Sequence, residues 1–194
     1  SSDATMIDLH VPILYPADVA EALDLGRHAI ALSRASGLWV GLKVVSAVAD
    51  GTGTIDLDPA RIEPVAPLLD GEPYRCEPDA LLLSAHSLEI EEQLRGVRAD
   101  LAVAYGSANG LNRITVRSPG AWLGVIASGL TYLELMAAFD RLGLDPASLS
   151  DAGIRVLQMQ MPIPFDPGVI LSLIHISEPT RPLYISYAVF CLKK

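Results

Sequence analysis

The sequence predicts an α/β fold: two partial parallel-sheet units joined by a Pro-rich arm and a helix. Three observations carry that reading. Short runs rich in Val, Ile and Leu alternate with longer stretches of helical spacing, first over residues 11–48 and again over 118–170. Between the halves, Pro59, Pro64, Pro67, Pro73 and Pro78 break up any regular pattern. Hydrophobic residues make up 51% of the chain and charged residues 19%, which supplies a core and excludes disorder as the main description.

Val11–Leu14 is a short apolar run closed by Tyr15-Pro16, as a buried strand would be. Asp18 is placed to cap the helix that follows. Val19, Ala22, Leu23, Gly26, Ile30 and Ala31 keep helical spacing to about Ala35, and Gly37 supplies the stop. Glu21, Asp24 and Arg27 fall on the face expected to be wet. Leu38–Val48 is almost continuously apolar, the pattern of a strand buried on both faces of a parallel sheet. Asp50–Asp58 reads as a loop or hairpin, and residues 80–109 as helix, dented but not ended by Gly96.

The second unit begins near Ser118. Trp122–Ala127 is a short strand and Ser128-Gly129 a turn, with Thr131 and Glu134 spaced as a capping box for the next helix. That helix stops at Gly143, Asp145-Pro146 opens a helical turn, and Ile154–Met159 is the next strand, with Met161–Pro167 extended.

Acidic residues outnumber basic ones, 23 to 14, for a net charge of −9. Nucleic acid is therefore excluded as an expected partner, since phosphate binding needs clustered Lys and Arg. No apolar stretch reaches the ~18 residues of a membrane span, no secretory signal opens the chain, and a cytoplasmic protein is expected. Two cysteines without a CxxC pair give no support to a disulfide framework, a zinc site or a cluster-binding run.

Leu171–Lys194 follows no plan that continues the preceding units. LSLIHISEPTR resembles the translation of a transposase sequencing adapter, and ISYAVFCLKK that of its downstream end and a run of A, with Pro182–Tyr184 where a sample index would sit. We treat this tail as non-native, and expect it to make few long-range contacts. His175 then leaves any ligand count. The opening SSDATMID has neither Met nor a leading element, so both ends of the natural part read as cut.

VPILYPADVAEALDLGRHAIALSRASGLWVGLKVV resembles the end of the pyrimidine-binding domain in indolepyruvate-type ferredoxin oxidoreductases, and SSDATMID resembles the loop before that strand. RITVRSPGAWLGVIASGLTYLELMAAFDRLGL, followed by GIRVLQMQMPIPFDP, resembles their next domain, which is similar to the C-terminal domain of transketolase. The resemblance covers nearly all of residues 1–170 and rests on the order of segments, not on one motif. It implies three parts: residues 1–58 from the end of a thiamine-diphosphate pyrimidine-type domain, 59–117 as linker arm with helix, and 118–170 from the start of a transketolase C-terminal-like domain.

The family's activity is oxidative decarboxylation of arylpyruvates to an acyl-CoA and carbon dioxide, with ferredoxin as electron acceptor. The resemblance thus implies thiamine diphosphate, Mg²⁺ and [4Fe-4S] clusters in the parent enzyme, and as partners its remaining domains, ferredoxin, an arylpyruvate such as indolepyruvate, coenzyme A, and a second copy in a homo-oligomer. The family's cofactor-contacting glutamate lies upstream of these residues, its Gly-Asp-Gly motif lies later, and no GDG occurs here. The fragment alone is accordingly expected to bind none of these cofactors and to be inactive. The competing reading is a stand-alone, non-catalytic α/β module that binds a small anion or a protein.

Six residues are candidates for a substrate or cofactor cleft. Ser1, Ser2 and Asp3 resemble a loop beside the family's active site, although a frayed terminus has the same look. His10 has a side chain suited to proton donation near neutral pH, or to a structural hydrogen bond. Lys43 interrupts an apolar strand near its C-terminal end, where α/β sites lie, and Ser46 follows it with Asp50 beyond. The same Lys is placed to pair with an acid. The Ser128–Leu130 turn has the strand-to-helix geometry of anion sites but lacks G-x-G-x-x-G, so a tight turn needing Gly is the simpler reading. Cys76 lies in the arm with only Arg75 as a basic neighbour and reads as inert, His86 has no partner at i+4, and Trp39 and Trp122 read as core or interface aromatics.

Overall fold

A computed structural model describes residues 3–76, 83–174 and 190–193. The first unit opens with a short helix α1 (Asp3–Asp8) and strand β1 (Ile13–Leu14), then the long helix α2 (Val19–Ser36), strand β2 (Gly41–Leu42) and the single-turn helix α3 (Ser46–Ala49). β1 and β2 are parallel, with Ile13 opposite Gly41 and Leu14 opposite Leu42. α2 is capped as the sequence predicts. Asp18 accepts the Glu21 backbone N–H at 2.7 Å, and Gly37 ends the helix in the left-handed region at φ 72, where its N–H donates to Ser33. Leu25, His28 and Leu32 form its buried stripe.

The long strand expected over Leu38–Val48 is not formed. β2 has two residues, the chain turns helical at Ser46, and Trp39, Leu42 and Val44 are exposed, Trp39 at 87%. Apolar sequence alone does not extend a strand whose outer edge meets no neighbouring strand among the described residues. Asp50–Asp58 is a loop. The supposedly wet face of α2 is partly covered too: Arg61 pairs with Asp24 at 3.1 Å, and Arg27 donates to the Ile62 carbonyl at 3.2 Å.

The Pro-rich arm is therefore docked. It contains a small hairpin, β3 (Leu68–Leu69) against β4 (Glu72–Pro73), turned by Asp70-Gly71 with both residues at positive φ. Val65 exchanges two 2.8 Å hydrogen bonds with the Asn109 side chain, as a neighbouring strand would. Helices α4 (Ser84–Gln93) and α5 (Ala99–Ala108) are joined by a widened turn at Leu94–Arg98, in which Gly96 has non-helical angles, the dent the sequence foretold.

The second unit is a mixed four-stranded sheet in the order β5-β7-β6-β8. β5 (Asn112–Val116) starts before Ser118 and runs antiparallel to β7 (Ile154–Met159). β6 (Leu123–Ser128) is parallel to β7 in unbroken register, Leu123 opposite Ile154 through Ser128 opposite Met159. The alternation along β7 separates the faces. Val156 packs with Leu149 and Val116 beneath α6 (Leu130–Arg141) and α7 (Pro146–Asp151), whereas Leu157 and Met159 pack with Ile126 and Leu173 beneath α8 (Pro167–Ile174). α7 is capped by Asp145, whose carboxyl is held below its ordinary range by hydrogen bonds from Ser148. The capping box at Thr131 and Glu134 is absent: α6 starts two residues earlier, with Gly129 at the cap position and no side-chain cap.

The expectation of few long-range contacts after Ile170 fails for two segments. α8 runs through Leu171 to Ile174 with Leu173 fully buried, because Val169, Ile170 and Leu173 share an apolar helical face over the sheet. β8 (Phe190–Lys193) lies antiparallel to β6 as an edge strand. An open strand edge offers backbone donors and acceptors to any β-prone segment within reach.

One core crosses both units. Leu14 of β1, Leu25 and Leu32 of α2, Tyr105 of α5, and Leu111 and Met161 beside the sheet form a single buried cluster. Within it the His28 Nδ1 and the Tyr105 hydroxyl are 2.9 Å apart. Burial holds the His28 imidazole below its ordinary 6.5, partly offset by Asp24 and reinforced by Arg27, while burial pushes the Tyr105 hydroxyl up to about 12. The sign of the His28 linkage follows. Above 6.5 the imidazole is neutral in both states; below it the unfolded chain takes the proton first, so stability is full above 6.5 and is lost as pH falls through the lowered folded value. Urea melts between pH 8 and 5 should show that loss, and it should shrink in His28→Gln. For Tyr105 stability is full below 10 and is lost as pH rises towards about 12.

Candidate functional site

β1 and β2 end side by side, and the groups just past them face the start of α6. Lys43 follows β2, with its backbone N–H bonded to the Leu14 carbonyl at 2.8 Å, which fixes where its side chain departs. Its ammonium lies 2.8 Å from Asp3 Oδ2 and 4.9 Å from the centre of the Tyr15 ring. Both members of the ion pair are mostly buried, so solvent screens it less than a surface pair. Tyr15 follows β1 directly. Its N–H donates to the Gln160 carbonyl at 2.8 Å, joining β1 to the chain that leaves β7.

The ring of Tyr15 rests on Gly129, which has φ 54 and ψ −144. A Cβ at Gly129 would overlap that ring. Gly is thus required twice, by the backbone angles and by the close approach. The simpler reading of the Ser128–Leu130 turn, a tight turn needing Gly, holds. The turn nevertheless lies against the site that holds Lys43 and Asp3, so parts of the chain remote in sequence meet at one seam.

Of the described sequence candidates, the structure joins Asp3 to Lys43 and leaves His10 and Ser46 apart. His10 has φ 53 and closes the turn after α1, before β1, so it lies at the N-terminal end of a strand pair whose C-terminal ends carry Tyr15 and Lys43. Ser46 is exposed at the start of α3 and Asp50 is exposed at its end. Ser1, Ser2 and His175 lie outside the described residues. Cys76 is half-buried against Gly37, which has no room for a Cβ there. His86 lies 3.5 Å from Glu89, and Trp122 donates to the Ala152 carbonyl at 2.8 Å in a structural role. Trp39 is not a core residue.

Sequence reasoning missed Tyr15, whose one signal was its place directly after a strand and before a proline. It also missed a polar relay at the same seam. Glu21 accepts the Ala17 N–H at 2.8 Å and the Gln158 side-chain amide at 2.7 Å, and the Gln158 carbonyl accepts from Arg113 Nε and Nη2 at 3.3 and 3.2 Å. The relay links the first turn of α2 to β7 and β5.

Residues 113–174 match the family described as the indolepyruvate oxidoreductase domain. An indolepyruvate oxidoreductase subunit, IorA, of Methanothermobacter thermautotrophicus is 28% identical over 163 residues, 82% of this chain. The chain is thus similar to indolepyruvate oxidoreductase subunits along most of its length. The IorA subunit of Methanothermobacter marburgensis is 26% identical over 160 residues, again 82% of the chain. In both cases the chain spans 24% of the relative, about a quarter of an IorA subunit's length. No described helix is long and apolar enough to cross a membrane.

Proposed function

We propose that this chain forms part of the cleft wall of a parent enzyme that oxidatively decarboxylates arylpyruvates, indolepyruvate among them, to acyl-CoA. Ferredoxin takes the two electrons one at a time, and the remaining domains of the parent supply the rest of the site. Similarity to the IorA subunits supports the reaction class, and the buried Asp3–Lys43 pair at the seam between the units is the observation that carries the placement. The exposed Trp39, Leu42 and Val44 beside β2 favour a piece packed within a larger enzyme over a self-sufficient anion-binding module, because a finished module would cover them.

We place thiamine diphosphate, Mg²⁺ and the iron–sulfur clusters in other parts of the parent, as the resemblance implies. Among the described residues no three His, Cys, Asp or Glu side chains converge where a metal ion would sit. This chain's contribution is orientation: the Lys43 ammonium, fixed by Asp3 and the Tyr15 ring, presents positive charge towards an anionic group of the substrate. Leu171–Lys194 takes no part in it, and a read of the source locus free of adapter should depart from this sequence beyond Ile170.

The test is indolepyruvate- and coenzyme A-dependent ferredoxin reduction by the full parent, compared with the 194-residue chain. The parent should be active and the chain inactive; turnover by the chain alone would overturn the assignment. In the parent, Lys43→Met should raise KM for the arylpyruvate roughly ten-fold or more, with kcat changed less, as loss of a charge-assisted contact made in both ground and transition states requires.

A further inference from the structure

We propose that Tyr15 is a positioning residue that ties the two walls of the cleft together, so that the Asp3–Lys43 pair and the N-terminus of α6 move as one. Its relevance to turnover rests on the reading above. Three separate contacts converge on this one side chain and its backbone. The Tyr15 N–H holds the Gln160 carbonyl at 2.8 Å, fixing β1 to the chain that leaves β7. The ring takes the Lys43 ammonium 4.9 Å from its centre, a separation at which a cation is attracted to an aromatic face. The Cδ2–Cε2–Cζ side of the ring fills the space that a side chain on Gly129 would need.

The residue is only 9% exposed, so the ring cannot swing without displacing a neighbour. A continuous line of contacts therefore runs from Asp3 in α1 through Lys43 and Tyr15 to Gly129 at the start of α6. Residues 3, 43 and 129 come from distant parts of the sequence and share one rigid support. The shape and the face of the ring make these contacts, so Phe should serve in place of Tyr and Leu should not: Leu is smaller, has no π face for Lys43, and leaves a gap over Gly129.

The experiment is amide hydrogen exchange on the full parent chain, comparing wild type, Tyr15→Phe and Tyr15→Leu. In Tyr15→Leu the hydrogen-bonded amides of residues 7–11 and of residues 132–136 should exchange about ten-fold faster together, while the middle of α2 and β7 keep wild-type protection. Tyr15→Phe should match wild type. The coupling is overturned if only one of the two segments responds, or if Phe behaves as Leu does. In the same preparations kcat/KM for the arylpyruvate should fall about ten-fold in Tyr15→Leu and recover in Tyr15→Phe. Coupled exchange in a parent that does not turn over arylpyruvate would uphold the coupling and sink the functional reading. Turnover without coupled exchange would do the reverse.

Discussion

Gly129→Ala should destabilise the protein by about 3–4 kcal/mol, the largest single-residue effect expected outside the apolar core. Two independent costs add. The backbone at φ 54 and ψ −144 lies in a region that residues with a Cβ occupy only under strain, at roughly 1–3 kcal/mol. The new methyl would also overlap the Tyr15 ring, and overpacking costs typically about 1–3 kcal/mol. For a chain of this length the shift in Tm is on the order of 10 °C. The costs separate in Gly129→Ala/Tyr15→Leu, where the overlap is relieved and the backbone strain remains, so the double variant should melt above the sum of the two single losses. Strict additivity would show that the ring and the glycine are not in contact. A Gly129→Ala variant as stable as wild type would mean that the turn has other angles.

The same pair shows what the sequence could reveal. Gly129 was legible as a required glycine, because Ser-Gly between a strand and a helix implies a tight turn. What it packs against was not, because Tyr15 lies more than a hundred residues away and no local pattern joins them. Elements fixed by their own residues were read well. α2 carries its stop and start signals at Asp18 and Gly37, β7 has the bounds that its apolar run gives, and Gly96 interrupts the helical stretch where Gly costs most.

Elements that depend on neighbours were read poorly. Leu38–Val48 has the composition of a buried central strand, but only two of its residues pair, since the outer edge of β2 meets no strand among the described residues. β5, with its polar Asn112 and Arg113, fell within residues 59–117 read as linker arm with helix, and becomes a strand by pairing with β7. Within the site, Lys43 stood out as a charge in an apolar run. Its partner Asp3, forty residues away, was suspected only through a family resemblance, and Glu21 was placed on the wet side because helical periodicity cannot show that β7 presents an amide to it.

That amide gives the second large effect. Gln158 is 2% exposed and faces the first turn of α2 from β7. Its side chain is neutral with a donor at one end and an acceptor at the other, so it satisfies the Glu21 carboxylate and the Arg113 guanidinium at once. Gln158→Leu keeps the volume and removes both ends. Arg113 is exposed and recovers water, whereas Glu21 is half-buried and recovers less, so the net loss should be about 2–3 kcal/mol in urea melts. Gln158→Glu separates polarity from charge. It keeps the contact to Arg113 but sets a second carboxylate against Glu21, which raises the pKa of the pair above the ordinary carboxylate range. Stability of that variant should therefore be poorest at neutral pH and improve as pH falls towards about 5, when the shared proton arrives. Wild type has no such improvement to make, and His28 drives it the other way. If Gln158→Glu instead tracks wild type across that range, Glu21 does not face Gln158, and the seam that holds β1 against β7 must be secured by the backbone bonds of Ile13 and Tyr15 and the apolar cluster around Leu14 and Met161.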